Sequence, residues 1–187
     1  MSSIDETAYP RLREEVSPQE LEQLYTPSPK ERRFVAETYR RASPQIFLML
    51  QLKLLQRLGY SVPPASIPLG IVAHICRKLK LSRPNREALI RYDESGEKTR
   101  HLRFVLQLLS LRAIEGDGDI WLRERALEAA RTKQELPDII NFLLEELVKK
   151  SYVLPGFSIL DRLACTLLAY ILPGKQRSPV RTALQKS

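Results

Sequence analysis

Two cysteines, two histidines and one tryptophan in 187 residues leave this chain little with which to build a covalent or metal-based scaffold. Cys76 and Cys165 both fall in apolar helical runs. Buried free thiols in a reducing cytoplasm are therefore expected, not a disulfide framework. His74 and His101 come without CxxC or HxxxH spacing, which argues against a zinc site. Long apolar runs are missing as well. The longest, Leu163 to Leu172, reaches half the ~20 residues a membrane span needs, so no membrane partner is expected. The first sixteen residues carry acids and no apolar core, which excludes a secretory signal. No segment longer than four residues alternates apolar with polar, and Tyr152-Val153-Leu154 is the nearest approach to a strand. Six of the seven glycines fall in predicted loops, and none forms a phosphate-cradling motif. The expectation is an intracellular, soluble protein with no cofactor, no metal and no catalytic residues.

What remains is helix and positive charge. A hydrophobic fraction of 43% supports a core, and a chain of this length buries roughly 70% of its unfolded surface. Ser17-Pro18-Gln19-Glu20 and Ser28-Pro29-Lys30-Glu31 each read as a serine N-cap, a proline at the first helical position and a glutamate that returns a hydrogen bond to the cap. Ser43-Pro44 repeats the cap without the glutamate and predicts a helix over 44–58. That helix is apolar nearly all round, with Lys53, Gln56 and Arg57 sharing one narrow polar strip, and Gly59 stops it. Further helices are predicted over 67–80, 84–92, 97–112, 119–131, from Pro137 onward, and over 158–172 with Ser158 as cap. The predicted fold is all-α, a compact domain of about nine helices in which 67–80 and 84–92 form a helix-turn-helix-like pair. Residues 1–16 are expected to be irregular, 17–172 to form the helical domain, and 173–187 to be a flexible basic tail or linker.

The formal charge of +8 is unevenly placed. Residues 1–37 hold eight acids and five bases, whereas 77–103 hold nine bases and four acids, a net of +5. Helical periodicity sorts this second segment. On 67–80, Ile71, Val72, Ile75, Cys76 and Leu79 face inward, leaving His74, Arg77 and Lys78 on the outer face. On 84–92, Ala88, Leu89 and Tyr92 point in, and Arg86 and Arg91 point out. On 97–112, Leu102, Val105, Leu106 and Leu109 form the core face. Arg100, Arg103, Gln107 and Ser110 form an outer polar stripe, and His101 projects inward to a structural hydrogen bond. Trp121 is expected to anchor a core with Leu122 and Ala126. Guanidinium forks and amides arrayed this way suit phosphate oxygens and base edges. The candidate nucleic-acid-binding set is therefore His74, Arg77, Lys78, Lys80, Arg83, Arg86, Arg91, Arg100, Arg103 and Gln107. If about six phosphates are neutralised, log K should fall with log salt at a slope of about −5.

Several motifs occur in a fixed order: the YPRLR opening at Tyr9 to Arg13, Arg40 to Ser43 before a leucine-rich helix ending LQRLGY, IPLGIVAHICRKLKL, TRHLR at Thr99 to Arg103, the Trp121-Leu122 helix, and LPGFSILDRL at Leu154 to Leu163. In that order the chain, over about residues 9–170, resembles the N-terminal DNA-binding domain of Tn3-family transposases. The resemblance implies a bacterial, cytoplasmic module that helps recognise the terminal inverted repeats of a transposon. Double-stranded DNA would be its partner, with self-association or the remaining transposase domains as further contacts. It also implies that strand transfer resides in a separate C-terminal domain with an Asp-Asp-Glu triad, of which this chain shows neither strands nor triad. Two other readings stay open: a protein-interaction module of the transposition complex, and a fragment of a disrupted transposase without function.

Overall fold

A computed structural model describes residues 2–171. Nine α-helices carry the described residues: α1 (Pro18–Tyr25), α2 (Pro29–Thr38), α3 (Ala42–Leu58), α4 (Leu69–Leu79), α5 (Arg86–Asp93), α6 (Gly96–Leu108), α7 (Asp117–Thr132), α8 (Leu136–Lys149) and α9 (Phe157–Ile171). No strand occurs among the described residues, and the protein is all-α. At the strand-like Tyr152 a single parallel bridge to Arg112 forms instead. The basic tail expected over 173–187 lies outside the described residues.

The chain divides into two compact units. The larger comprises residues 10–114 and 148–154; the described part of the smaller comprises 2–9, 115–147 and 155–171.

In the larger unit α3 is the central element, with α1, α2, α4 and α6 packed around it. Ile46, Leu48, Met49, Leu50, Leu52 and Leu54 are all at most 1% exposed. A run apolar over most of its circumference can be dry only if neighbours surround it, and each such side chain stabilises the fold by about 1.5–3 kcal/mol. The capping boxes at Ser17 and Ser28 both form, with Glu20 and Glu31 as the reciprocating acids. Ser43 is not a cap: α3 starts at Ala42 with Arg41 at the N-cap position and no side-chain cap bond. There the Gln45 amide reaches back to the Tyr39 carbonyl at 2.6 Å, closing the turn that precedes the helix.

On the narrow polar strip of α3, Lys53 is only 8% exposed and pairs with Glu31 of α2 at 3.3 Å, the carboxylate that Gln56 also reaches. Burial opposes ionisation of Glu31, but the Ser28 N–H, the Gln56 amide and the Lys53 ammonium together hold its carboxyl below the usual range.

The smaller unit packs α7 on α9. Ala126, Ala129 and Ala130 of α7 and Ala164 of α9 are buried, and such short side chains permit close approach of helix axes. The apolar face of α8, Ile139, Ile140, Leu143, Leu144 and Leu147, is buried throughout. Trp121 is half-buried beside the buried Leu122 and Ala126. Cys165 is also half-buried; Cys76 of the larger unit is buried as expected. Ser158 lies inside α9, and the Gly156 carbonyl accepts the first bonds, from Ile159 and Leu160. The N-terminal segment, expected to be irregular, is held by several hydrogen bonds. Ser3 caps a short 3-10 turn over Ile4–Glu6, the Ser2 N–H donates to the buried Asp161 at 2.8 Å, and the Tyr9 hydroxyl donates to the Pro155 carbonyl at 2.9 Å.

Candidate nucleic-acid interface

All ten candidate residues belong to the larger unit, on α4, α5, α6 and the intervening 80–85 segment. The inner faces fix these elements. Ile71, Val72, Ile75 and Cys76 of α4, Leu89 and Tyr92 of α5, and Val105 of α6 join one buried cluster with α3. α4 packs on α3 and α1, whereas α5 takes α6 and the 3-10 turn Pro64–Ser66 as its main neighbours, so the two helices of the expected pair are anchored on different partners.

Between α5 and α6 the anchor is polar as well as apolar. Tyr92 stacks on Phe47, ring centroids 4.2 Å apart, and its hydroxyl lies 2.8 Å from His101 Nδ1. Burial pushes the Tyr92 phenol well above its ordinary range, so it keeps its proton and donates to Nδ1. His101 is fully buried, and burial lowers its pKa to about 4. The neutral ring thus acts as an internal acceptor, in the structural place the sequence suggested. Its Nε2 has no hydrogen-bond partner and lies 4.0 Å from Glu97.

Of the ten candidates, five are exposed cations with no ion pair among the described residues: Lys80, Arg83, Arg86, Arg100 and Arg103. Gln107 joins Arg100 and Arg103 on the outer side of α6. Ser110 does not, because α6 ends at Leu108 and Ser110 turns left-handed at φ 54°. Lys80 is itself unusual. It closes α4 in the left-handed region (φ 59°, ψ 39°), with its N–H and that of Leu81 bonded to the Arg77 and Cys76 carbonyls, a position that ordinarily selects glycine. Asn85 caps α5 by accepting from the Ala88 N–H at 2.9 Å, a cap not read from the sequence.

The remaining candidates are engaged. Arg91 sits 4.0 Å from Glu87, an exposed pair worth little. Lys78 donates to Glu22 of α1 at 2.6 Å, and this bond holds the Glu22 carboxyl below its usual range. His74 is corrected outright: it is 2% exposed, buried against α1 and not on the outer face. Its Nε2 lies 2.9 Å from the Thr26 hydroxyl and its Nδ1 3.0 Å from Arg77 Nη2. Burial, reinforced by Arg77, lowers its pKa. With Arg77 donating to Nδ1, the ring proton sits on Nε2 and points to Thr26. His74 cannot reach a phosphate from there; it holds Arg77. Glu22 and Thr26 carried no signal, since they lie 56 and 48 residues from the side chains they meet.

Among the described residues no group of three or more His, Cys, Asp or Glu is arranged to hold a metal ion, and no helix is long and apolar enough to cross a membrane. A comparison with curated proteins found no match. A family model described as a domain of unknown function, DUF4158, matches residues 1–167, and the chain belongs to that family.

Proposed function

We propose that this chain is a double-stranded DNA-binding module of the Tn3-transposase N-terminal kind, which positions a transposase on transposon ends and leaves strand transfer to another domain. The observation that carries this reading is a group of exposed, unpaired cations gathered between the end of α4 and α6. Lys53, Lys78 and Lys98 are paired with Glu31, Glu22 and Asp93. Lys80, Arg83, Arg86, Arg100 and Arg103, by contrast, are exposed and have no carboxylate partner among the described residues. Unpaired guanidinium groups on pinned helices are what a phosphate backbone requires, and such contacts set affinity and register.

The test is a fluorescence-anisotropy titration of a duplex at several salt concentrations. Five phosphate contacts give a log K against log salt slope of about −4.5, at ~0.9 per contact. A slope near zero removes the proposal. Arg100→Ala/Arg103→Ala should reduce the slope by about 2 by the same rule.

A protein-contact reading has one observation in its favour. Ile120, Ile159 and Tyr170 of the smaller unit are 59%, 46% and 79% exposed, more apolar surface than a helix pair needs to show water. Sedimentation of wild type beside Arg100→Ala/Arg103→Ala separates the readings: a complex that persists unchanged in the variant favours protein contact.

A further inference from the structure

On the outer side of α6 one polar side chain is neither charged nor engaged. Six residues of this helix are exposed: Gly96, Thr99, Arg100, Arg103, Gln107 and Leu108. None of them is acidic. The acid of the helix, Glu97, is half-buried 4.0 Å from His101, and Lys98 is half-buried in its pair with Asp93. Glu94 is exposed but caps the end of α5, before α6 begins. The neighbouring helices have no comparable face. Only Leu69, Gly70 and Arg77 of α4 are exposed, and the outer side of α5 carries Glu87, 4.0 Å from Arg91.

Helical geometry places Gln107 between the two arginines. At 3.6 residues per turn it projects about 20° from the direction of Arg100 and about 40° from that of Arg103, roughly 10 and 6 Å further along the axis. Its amide makes no hydrogen bond among the described residues. By contrast, Gln45, Gln51 and Gln56 of α3 are bonded to Tyr39, Lys98 and Glu31. Gln19 and Gln23 are exposed on α1, but there Glu20 and Glu22 share the helix. An uncharged amide adds nothing to the attraction of a phosphate backbone that the arginines do not already supply. What it does present is a donor beside an acceptor. That pattern matches the N6 amino group and N7 of adenine, which lie side by side in a major groove wide enough for one helix.

We propose that α6 enters the major groove and that Gln107 reads one adenine there, with Arg100 and Arg103 on flanking phosphates. Gln107 is then a specificity-determining residue, and its assignment to DNA rests on the function proposed above. The test is selection by the full chain from duplexes with a randomised segment, followed by anisotropy titration of duplexes that differ at one position. Wild type should prefer adenine at one position by about 5-fold to 150-fold, the range of a single bidentate pair. Gln107→Ala should lose that preference and keep the wild-type salt slope, because no charge is removed. Gln107→Glu should move the preference at the same position to cytosine, whose N4 amino group donates to a carboxylate. Arg103→Ala should do the reverse of Gln107→Ala, shrinking the slope by about 0.9 while the preferred base stays the same. Gln107 is exposed, so thermal melts of its variants should match wild type. A steep wild-type slope with no preferred base, or a preference unaltered in both Gln107 variants, overturns the assignment and spares the proposed function. A wild-type slope near zero removes the function and the role of Gln107 with it.

Discussion

Replacing Lys80 by glycine should move stability and DNA affinity in opposite directions. A non-glycine residue in the left-handed region costs roughly 1–2 kcal/mol, and Lys80 sits there at φ 59° and ψ 39°. Glycine relieves that strain but gives the unfolded chain more freedom, worth about 0.5–1 kcal/mol. The balance is a gain of about 0.5–1 kcal/mol, or a rise in Tm of roughly 1–4 °C for a protein of this size. The Lys80 ammonium has no ion pair among the described residues to lose. On the proposed function the same substitution removes one phosphate contact, so the salt slope should shrink by about 0.9 and affinity at 0.1 M salt should fall about eightfold. Differential scanning fluorimetry reads the first effect and anisotropy the second. A variant that is less stable than wild type refutes the strain argument. One that is more stable but binds as tightly, with the same slope, shows that the left-handed lysine is not a phosphate ligand.

Two further predictions concern the interior. Burial holds His101 neutral, with a pKa of about 4 against 6.5 unfolded, so the folded state resists a proton that the unfolded chain accepts. Its contribution is intact above pH 6.5 and is lost as pH falls from 6.5 to 4, about 3 kcal/mol in all. Urea melts of wild type and His101→Gln between pH 7 and pH 5 should show a steeper loss in wild type; parallel losses would exclude the histidine as the cause. Lys53→Met strands the half-satisfied Glu31 carboxylate beside α3 and should cost about 2–4 kcal/mol. Glu31→Gln added to it keeps the capping geometry while removing the charge, so the double variant should regain most of the loss in the same assay, and a double variant no more stable than Lys53→Met would contradict the buried-charge account.

What could be read in advance was whatever the chain settles within a turn or two. The Ser17 and Ser28 caps depend on a glutamate three residues on, and both form. Lacking that glutamate, Ser43-Pro44 was a weaker signal, and a Gln45–Tyr39 bond outside the serine-proline pattern starts the helix earlier. The outward direction of Arg86, Arg100, Arg103 and Gln107 followed from the 3.6-residue period, because apolar partners occupy the opposite face. Periodicity failed for His74, whose fate is decided by a side chain 48 residues away. A helix facing water on one stretch and another helix on the next has two inner faces, and a single period cannot show the second. Tyr9 was equally opaque: its hydroxyl bonds a carbonyl 146 residues later, placing the first residues in the unit built from the last helices.

The buried histidines bear on the candidate interface more than their inaccessibility suggests. An arginine that binds phosphate gives up rotamer freedom, at roughly 0.5–1.5 kcal/mol per side chain ordered. That cost is smaller where backbone and side chain are already placed. His74 holds the Arg77 guanidinium at 3.0 Å. His101, bonded to Tyr92 and thereby tied to Phe47, pins α5 to α6 beneath Arg86, Arg100 and Arg103. The two histidines therefore do comparable work by different routes, one ordering a side chain and the other the helices that present side chains. On this argument His74→Ala should weaken DNA binding only while Arg77 is present. In an Arg77→Ala background it should have no further effect on affinity, and a full additive loss in the double variant would show that His74 acts through the fold instead.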